Sequence, residues 1–591
     1  MNLYSRAVDL SFWQLNLRVE GRKRQWQQIG SNYQPPYYVE RYSAHVETKS
    51  HTDPYFSVFL QDRYNHYDAQ TLERMKRVLP SIVEKDIYKV HFKWRWGNPG
   101  RESAVRNLIR FTTPINDPDF NVWSMCEEWA GKHFSFMQGS KICWDFDYCS
   151  ESLNQQSSPG FPYSRGAFGR KPFAKKCDYF ECEGGDFARK NFADYLERIS
   201  NSDYVPTSWY TCTVKKELRK VKKMEADDYR AYLAANVDNS MAGNGATLDM
   251  NNKFYSSWAT SASFVGGSIF NSAWNILFQR LNKHKFAFEM DVSAWDSTLS
   301  EYMIMSLSRV MWGFVRQSDR TPLNRIRWDN LFKEIFMSLV ICPNGDVFFK
   351  LQGNPSGSFL TIVTNTIIHY MLFCYAWLRL SPEKTTYREF SEFVELALCG
   401  DDSLFTVAES VVSWFNMENI AEVWKSLGIK VKVEATGKGP LVERNFLSQA
   451  TTMCGGCYVP YPDYDKAVSS MLWHTRAHTH IRWSYLKACA LRMSTFFNGA
   501  CRELFSDYIQ YLQITWGSAL RVRSKRTKED PFTFEEVNTV WKSDDQLYQL
   551  YMTLEAEQPR VSNKSVLKSV AEKLNEFSYE ERFERWSEDH E

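Results

Sequence analysis

Residues 396–405, LALCGDDSLF, set two adjacent carboxylates, Asp401 and Asp402, between apolar runs. The flanking residues read as two short strands, with Gly400 and Asp401 at the tight turn between them. Crowding like charges raises the cost of ionising each, so such a pair calls for solvent or a cation. A lone Asp-Asp in a turn asks for no more than turn chemistry, because Asp tolerates tight backbone geometry. A second acidic segment changes that reading. FAFEMDV at 286–292 is a short, largely apolar strand carrying Asp291 at its end, and Asp296 follows at the start of the next helix. Taken alone, Asp296 could simply cap that helix. Two strands that each deliver an Asp at one end can gather carboxylates around a divalent ion. Mg2+ suits this, since it takes a few carboxylate oxygens and fills its shell with water and substrate phosphates.

At 591 residues the chain exceeds what one core usually supports, so two or more lobes are expected. The net charge of +2 excludes a global polyelectrolyte, and any nucleic-acid surface must come from local basic clusters. The 13 cysteines are scattered without an apolar signal core at the N-terminus, and reduced intracellular thiols are the expectation. CGGC at 454–457 lacks a second pair at zinc-finger spacing and reads as a tight turn holding two ordinary thiols. The apolar run at 367–380 is too short to span a bilayer and reads as a buried helix, with His369 a core histidine; no membrane anchor is expected. Residues 1–150 show no dominant period and suggest an irregular α+β region. A Gly/Pro-rich loop follows at 157–171, GNPSG at 353–357 forms a turn, and the pattern after about 460 is mainly helical.

The order DVSAWD at 291–296, GNPSGSFLTIVTN at 353–365 and CGDDS at 399–403 resembles motifs A, B and C of viral RNA-dependent RNA polymerases. The likeness is to the picornavirus-like supergroup (picorna-, calici-, astro- and partitivirus-like). TVKKELRKVKKMEADDYR at 213–230 resembles motif F, SSPGFPY at 157–163 is similar to motif G, and LGIKVKVEATGKG and NFLSQ fall where motifs D and E belong. The resemblance implies an α+β right-hand fold with fingers, a palm of antiparallel sheet plus helices, and a mainly helical thumb. Fingers with an N-terminal extension would take 1–285, interleaved with the palm. The palm core with some fingers would take 286–450, and the thumb and C-terminal tail 451–591.

By the same resemblance, Asp291 and Asp401 are the principal ligands of two Mg2+ ions, with Mn2+ able to substitute, and Asp402 is an additional or outer ligand. Asp296 would read the ribose 2′-hydroxyl with Asn365, Ser356 and Thr361, and Gly357 would let the backbone approach closely. Lys215, Arg219 and Arg230 would line the nucleotide channel and grip the triphosphate. Ser158, Gly160 and Tyr163 would guide the template strand. Lys438, ahead of Lys430 and Lys432, would be the general acid that protonates pyrophosphate, although a solvated loop lysine fits it equally. FLSQ lacks the basic residue often found in motif E. RVRSKRTK at 521–528 reads either as a contact to the product duplex or as a solvated run.

The implied function is RNA-dependent synthesis of RNA from ribonucleoside triphosphates on a viral genome. Its partners would be template and product RNA, ribonucleoside triphosphates and other viral replication proteins or capsid, in the host cytoplasm or the virion interior. A reverse transcriptase and an RNA-binding scaffold subunit are the alternatives. Asp296 and Asn365 speak against the first, and the presence of all three aspartates against the second. Neither a Walker loop nor a protease nucleophile motif occurs, so the chain reads as the polymerase alone, and its initial Met suits either a separate reading frame or an expression start. Protein-primed and unprimed initiation both fit.

Overall fold

Four strands meet at the acidic turn in the computed structural model. They are Phe286–Val292 (β1), Val394–Cys399 (β2), Asp402–Val407 (β3) and Val431–Lys432 (β4), antiparallel throughout in the order β4-β1-β3-β2. The structure describes residues 66–553 apart from 68, 78–93, 97–102, 104–106, 109, 154–158, 162, 164–184, 207, 216, 227, 342–346, 433–438, 475–480 and 521–539. The central strands are nearly continuously apolar because the sheet is covered on both faces, the pattern expected of a fully buried sheet. Phe288, Leu396, Leu398 and Phe405 point into one core, and Ala287, Ala397 and Leu404 into a second.

The first core is built around the helix Thr361–Leu380, whose residues are buried from Val363 to Trp377. A helix that is apolar all round belongs in an interior. This one extends further than the apolar run suggests. At 20 residues it is long and apolar enough by composition to cross a membrane, yet 83% of the relevant window is buried inside the protein. Met417–Ser426 packs beside it, and so does Phe120–His133. The latter is a regular helix of 14 residues within the region expected to be irregular α+β. Asp119 caps it by accepting from the Val122 N–H, and Trp123, Cys126, Trp129 and Ala130 form its buried stripe at helical spacing.

A second four-stranded sheet, from Trp209–Val214, Ala231–Ala235, Ser338–Ile341 and Val347–Lys350, lies to one side. It joins the central region through a bridge between Ala234 and Gly357. The hairpin Gln449–Cys454/Cys457–Pro462 and the helices Tyr464–Leu472, Ile481–Ser494, Gly499–Leu520 and Asp544–Met552 form the mainly helical C-terminal part. Gly455 and Gly456 have φ of 53° and 78°, so CGGC is a two-residue hairpin turn with both central residues left-handed, and Cys454 and Cys457 pair across it. The N-terminal residues reach across to this part. His66–Tyr67 pairs with Trp473–His474, and Leu72 and Met75 of the helix Ala69–Lys76 sit in its core.

Candidate active site

Strand register brings the acidic residues together. Asp402 opens β3 directly opposite Asp291 on β1, and Asp401 precedes it in the turn made possible by Gly400 at φ +68°. Burial first, and mutual repulsion after it, raise the proton affinity of Asp401 and Asp402. Burial, and then the charges of Asp401 and Asp291, push the Asp402 carboxyl up to about 6 against the opposing influence of Lys432 and Arg230. Asp401 is also raised, by displacement of water first and by Asp296 and Asp291 among the neighbouring charges, with Lys215 acting the other way. The Lys432 ammonium lies 2.5 Å from Asp291 Oδ2. No three His, Cys, Asp or Glu side chains form a closed metal cluster among the described residues. The donor set nevertheless fits a hard cation that keeps open positions, because crowded carboxylates with raised proton affinity lack positive charge.

Asp296 sits one turn away, in the short 3-10 segment Trp295–Ser297 rather than in the first turn of the helix Glu301–Trp312. The Ser356 hydroxyl donates to its carboxylate, and Asn365 Nδ2 donates to its other oxygen at 3.3 Å. Asn354 closes the ring. It is fully buried, its backbone N–H donates to the Asp296 carbonyl at 2.7 Å, and its Nδ2 donates to Asn365 Oδ1 at 2.8 Å. Thr361 joins this network through its backbone, its carbonyl accepting from Asn354 Nδ2 at 3.1 Å, while its hydroxyl donates to the Pro355 carbonyl at 2.6 Å and so braces the loop. Gly357 has no room for a side chain, since a Cβ would stand 2.5 Å from the Leu233 carbonyl oxygen. Beneath the loop Lys350, 2% exposed, shares its three N–H donors among the carbonyls of Ile335, Phe336, Gln352 and Gly353. Burial pushes its pKa well below the ordinary lysine range, against the pull of Asp296. Sequence reading missed both Asn354 and Lys350. GNPSG itself marked the first; nothing in the sequence separates Lys350 from a surface lysine.

A cleft of about 780 Å3 opens from Asp291 toward the C-terminal helices. Arg219 and Arg230 line it, but neither guanidinium stands free. Arg230 is paired with the Glu217 carboxylate, while Arg219 is buried and donates to the Asp228 carbonyl at 2.5 Å with the Asp228 carboxylate 3.2 Å away. Arg219 therefore builds the wall, with Arg230 as the exposed cation. The far wall holds Lys466, Lys487, Trp473 and Trp483, which sequence reading did not single out. Their distance along the chain from the acidic motifs hides them.

Pro159 and Gly160 of the glycine-rich segment are tied down through their backbone. Gly160 has φ +75°, a Cβ there would stand 2.8 Å from Asn236 Cα, and the Val237 N–H donates to the Pro159 carbonyl at 2.9 Å. Tyr163 is buried in the core with its hydroxyl donating to the Asp238 carboxylate, so neither its ring nor its hydroxyl is exposed to a template strand. Ser158, Lys438 and the basic run 521–528 lie outside the described residues.

A family model described as viral RNA-dependent RNA polymerase matches residues 48–513. The genome polyprotein of Lettuce mosaic virus (strain 0 / isolate French) is 25% identical over 395 residues, which are 66% of this chain and 12% of the polyprotein. That of Turnip mosaic virus (strain Japanese) is 25% identical over 385 residues, 63% of this chain and 11% of the polyprotein. The chain thus spans a small part of the length of the curated relatives it matches. Among solved structures, the Sicinivirus 3Dpol RNA dependent RNA polymerase is similar with a TM-score of 0.58 and 15% identity, over 73% of this chain and 90% of that one.

Proposed function

The chain belongs to the viral RNA-dependent RNA polymerase family, and on that premise we propose that it copies an RNA template by nucleotidyl transfer at the acidic end of the central sheet. The observation that carries this reading is the meeting of two sets of residues at one place. Asp291 and Asp402 face each other across β1 and β3 beside Asp401, and the Asp296–Ser356–Asn365 ring lies next to them. Asp291 and Asp401 would hold two Mg2+ ions, with Mn2+ able to substitute and Asp402 as outer support. When bound, these ions supply activation of the 3′-hydroxyl and charge relief for the leaving pyrophosphate.

The remaining work falls to the chain itself. Asp296, buttressed by Ser356 and Asn365, presents a carboxylate to the ribose 2′-hydroxyl, a group that a DNA-making enzyme would exclude. Arg230 and Lys215 meet the triphosphate, and for Arg230 this means exchanging Glu217 for phosphate oxygens. The proton for pyrophosphate would come from a lysine after the helix Met417–Ser426. Lys432, in contact with Asp291, joins Lys438 as a candidate for that role. The central sheet with its helices serves as palm, the second sheet as part of the fingers and the C-terminal helices as thumb. That the relatives are genome polyproteins supports other viral proteins as partners.

Incorporation of labelled ribonucleotides on a heteropolymeric RNA template, by wild type and by Asp401→Ala, tests the proposal. Incorporation should be lost in the variant. Equal incorporation by both would remove Asp401 from catalysis, and none by wild type across Mg2+ and Mn2+ would favour an RNA-binding scaffold.

A further inference from the structure

His369 is placed to do more than fill the core. It is fully buried on the helix Thr361–Leu380, and its Nδ1 lies 3.0 Å from the carbonyl oxygen of Gly400, the residue before Asp401. A carbonyl oxygen only accepts, so Nδ1 carries the proton. The other ring nitrogen, Nε2, has no hydrogen-bond partner among the described residues, which fits a neutral ring. One turn earlier on the same helix, Thr366 Oγ1 accepts from the Gly400 N–H at 3.0 Å. Both backbone groups of Gly400 are thereby held by one helix. The left-handed turn that aims Asp401 is pinned at the single residue that has to adopt it.

The imidazole also touches the other parts of the site. Its ring centre is 4.5 Å from that of Trp295, the neighbour of Asp296. It stacks on Phe373 at 5.3 Å and meets the edge of Trp424 at 5.4 Å, on the helix that leads to β4 and Lys432. Trp424 is itself anchored, its Nε1 donating to the Leu372 carbonyl at 3.0 Å. One side chain therefore contacts the turn carrying Asp401, the segment carrying Asp296 and the helix before Lys432.

We propose that His369 is a positioning residue for the acidic centre: by donating to the Gly400 carbonyl it fixes the direction of the Asp401 carboxylate relative to Asp291, while its tilted ring contact with Trp295 holds Asp296 in step. This rests on the catalytic reading of Asp401 given above. The alternative is a histidine that merely occupies volume, and two substitutions separate the two ideas. His369→Phe keeps a ring of similar size for Trp295, Phe373 and Trp424 but removes the donor. His369→Asn gives up the ring but offers an amide N–H near the place of Nδ1.

The readouts are Mn2+ affinity of the RNA-free protein, followed by electron paramagnetic resonance, together with kcat and KM for nucleotide on a primed template and the melting temperature. For His369→Phe, Mn2+ affinity and kcat should each fall by roughly 3- to 10-fold, the worth of one hydrogen bond, with KM for nucleotide and melting temperature close to wild type. His369→Asn should recover much of the Mn2+ affinity and kcat while melting lower. The opposite ranking, with His369→Phe like wild type and His369→Asn impaired, overturns the proposal. If His369→Phe does not fold, Thr366→Val removes the other half of the clamp and should shift Mn2+ affinity in the same direction; unchanged affinity there also overturns it. A wild type that incorporates no ribonucleotide would sink the functional reading, whereas an active wild type with an equally active His369→Phe sinks this inference alone.

Discussion

Replacing Asp402 by Asn should make the metal-free protein more stable, although the substitution falls in the acidic centre. Burial, and then the charges of Asp401 and Asp291, push the Asp402 carboxyl from its ordinary 3.8 to about 6. Each pKa unit corresponds to about 1.4 kcal/mol, which sets a ceiling of about 3 kcal/mol on the cost of ionising this group in the folded chain. Partial exposure and salt reduce that to about 1–2 kcal/mol. The folded chain binds the proton more tightly than the unfolded one, so stability from this group is greatest below about pH 4, declines as pH rises through about 6, and is lost above it. An amide carries no charge at any of these pH values, so the variant should escape the decline.

Thermal denaturation in a chelating buffer at about pH 7.5 and about pH 5 tests this. Taking about 2–4 °C per kcal/mol for a cooperative unit of about 150–250 residues, Asp402→Asn should melt several degrees above wild type at the higher pH, with a smaller gap at the lower. Millimolar Mg2+ should then raise wild type more than the variant, because a cation relieves the same repulsion. A variant that melts at or below wild type in chelator at the higher pH would refute the picture of an acidic centre under electrostatic stress.

Ser356→Ala removes the hydroxyl that donates to the Asp296 carboxylate. Its ratio of kcat/KM for ribo- over deoxyribonucleotide should fall by about 10-fold, with little change in melting temperature; an unchanged ratio removes Ser356 from sugar reading. Lys350→Met takes the ammonium donors away from the carbonyls of Ile335, Phe336, Gln352 and Gly353. The expected loss is about 3 kcal/mol or more, read in chemical denaturation, with weakened ribose discrimination because the loop bearing Asn354 and Ser356 loses its anchor.

The parts of this protein that could be read in advance are those whose causes are local. β1, β2 and β3 announce themselves as short apolar runs, and Gly400 marks the turn that needs φ above zero. Asp291, Asp296, Ser356, Asn365 and Asp401 followed from motif resemblance, and tertiary structure brings all of them to one end of the sheet. What escaped depends on distant partners. Lys350 reads as a surface charge until the four carbonyls around it are known. Arg219 and Tyr163 read as ligand-facing until Asp228 and Asp238 claim their polar atoms. The helix Phe120–His133 did carry a legible stripe in Trp123, Cys126 and Trp129, and the aromatic background of the surrounding sequence obscured it.

The strand Ala231–Ala235 has one more consequence. At its end the Val237 N–H holds the Pro159 carbonyl beside Gly160, and along its length the Leu233 carbonyl and the Ala235 N–H bind the two backbone groups of Gly357, next to Ser356. The loop assigned to guiding the template and the loop assigned to checking the sugar are thus spaced by a ruler made of main-chain atoms. Side chains on that ruler can drift in evolution without changing its length, provided no proline interrupts it and the two glycines remain. The spacing of the two loops therefore rests on backbone geometry, which a comparison of residue identities alone would not detect.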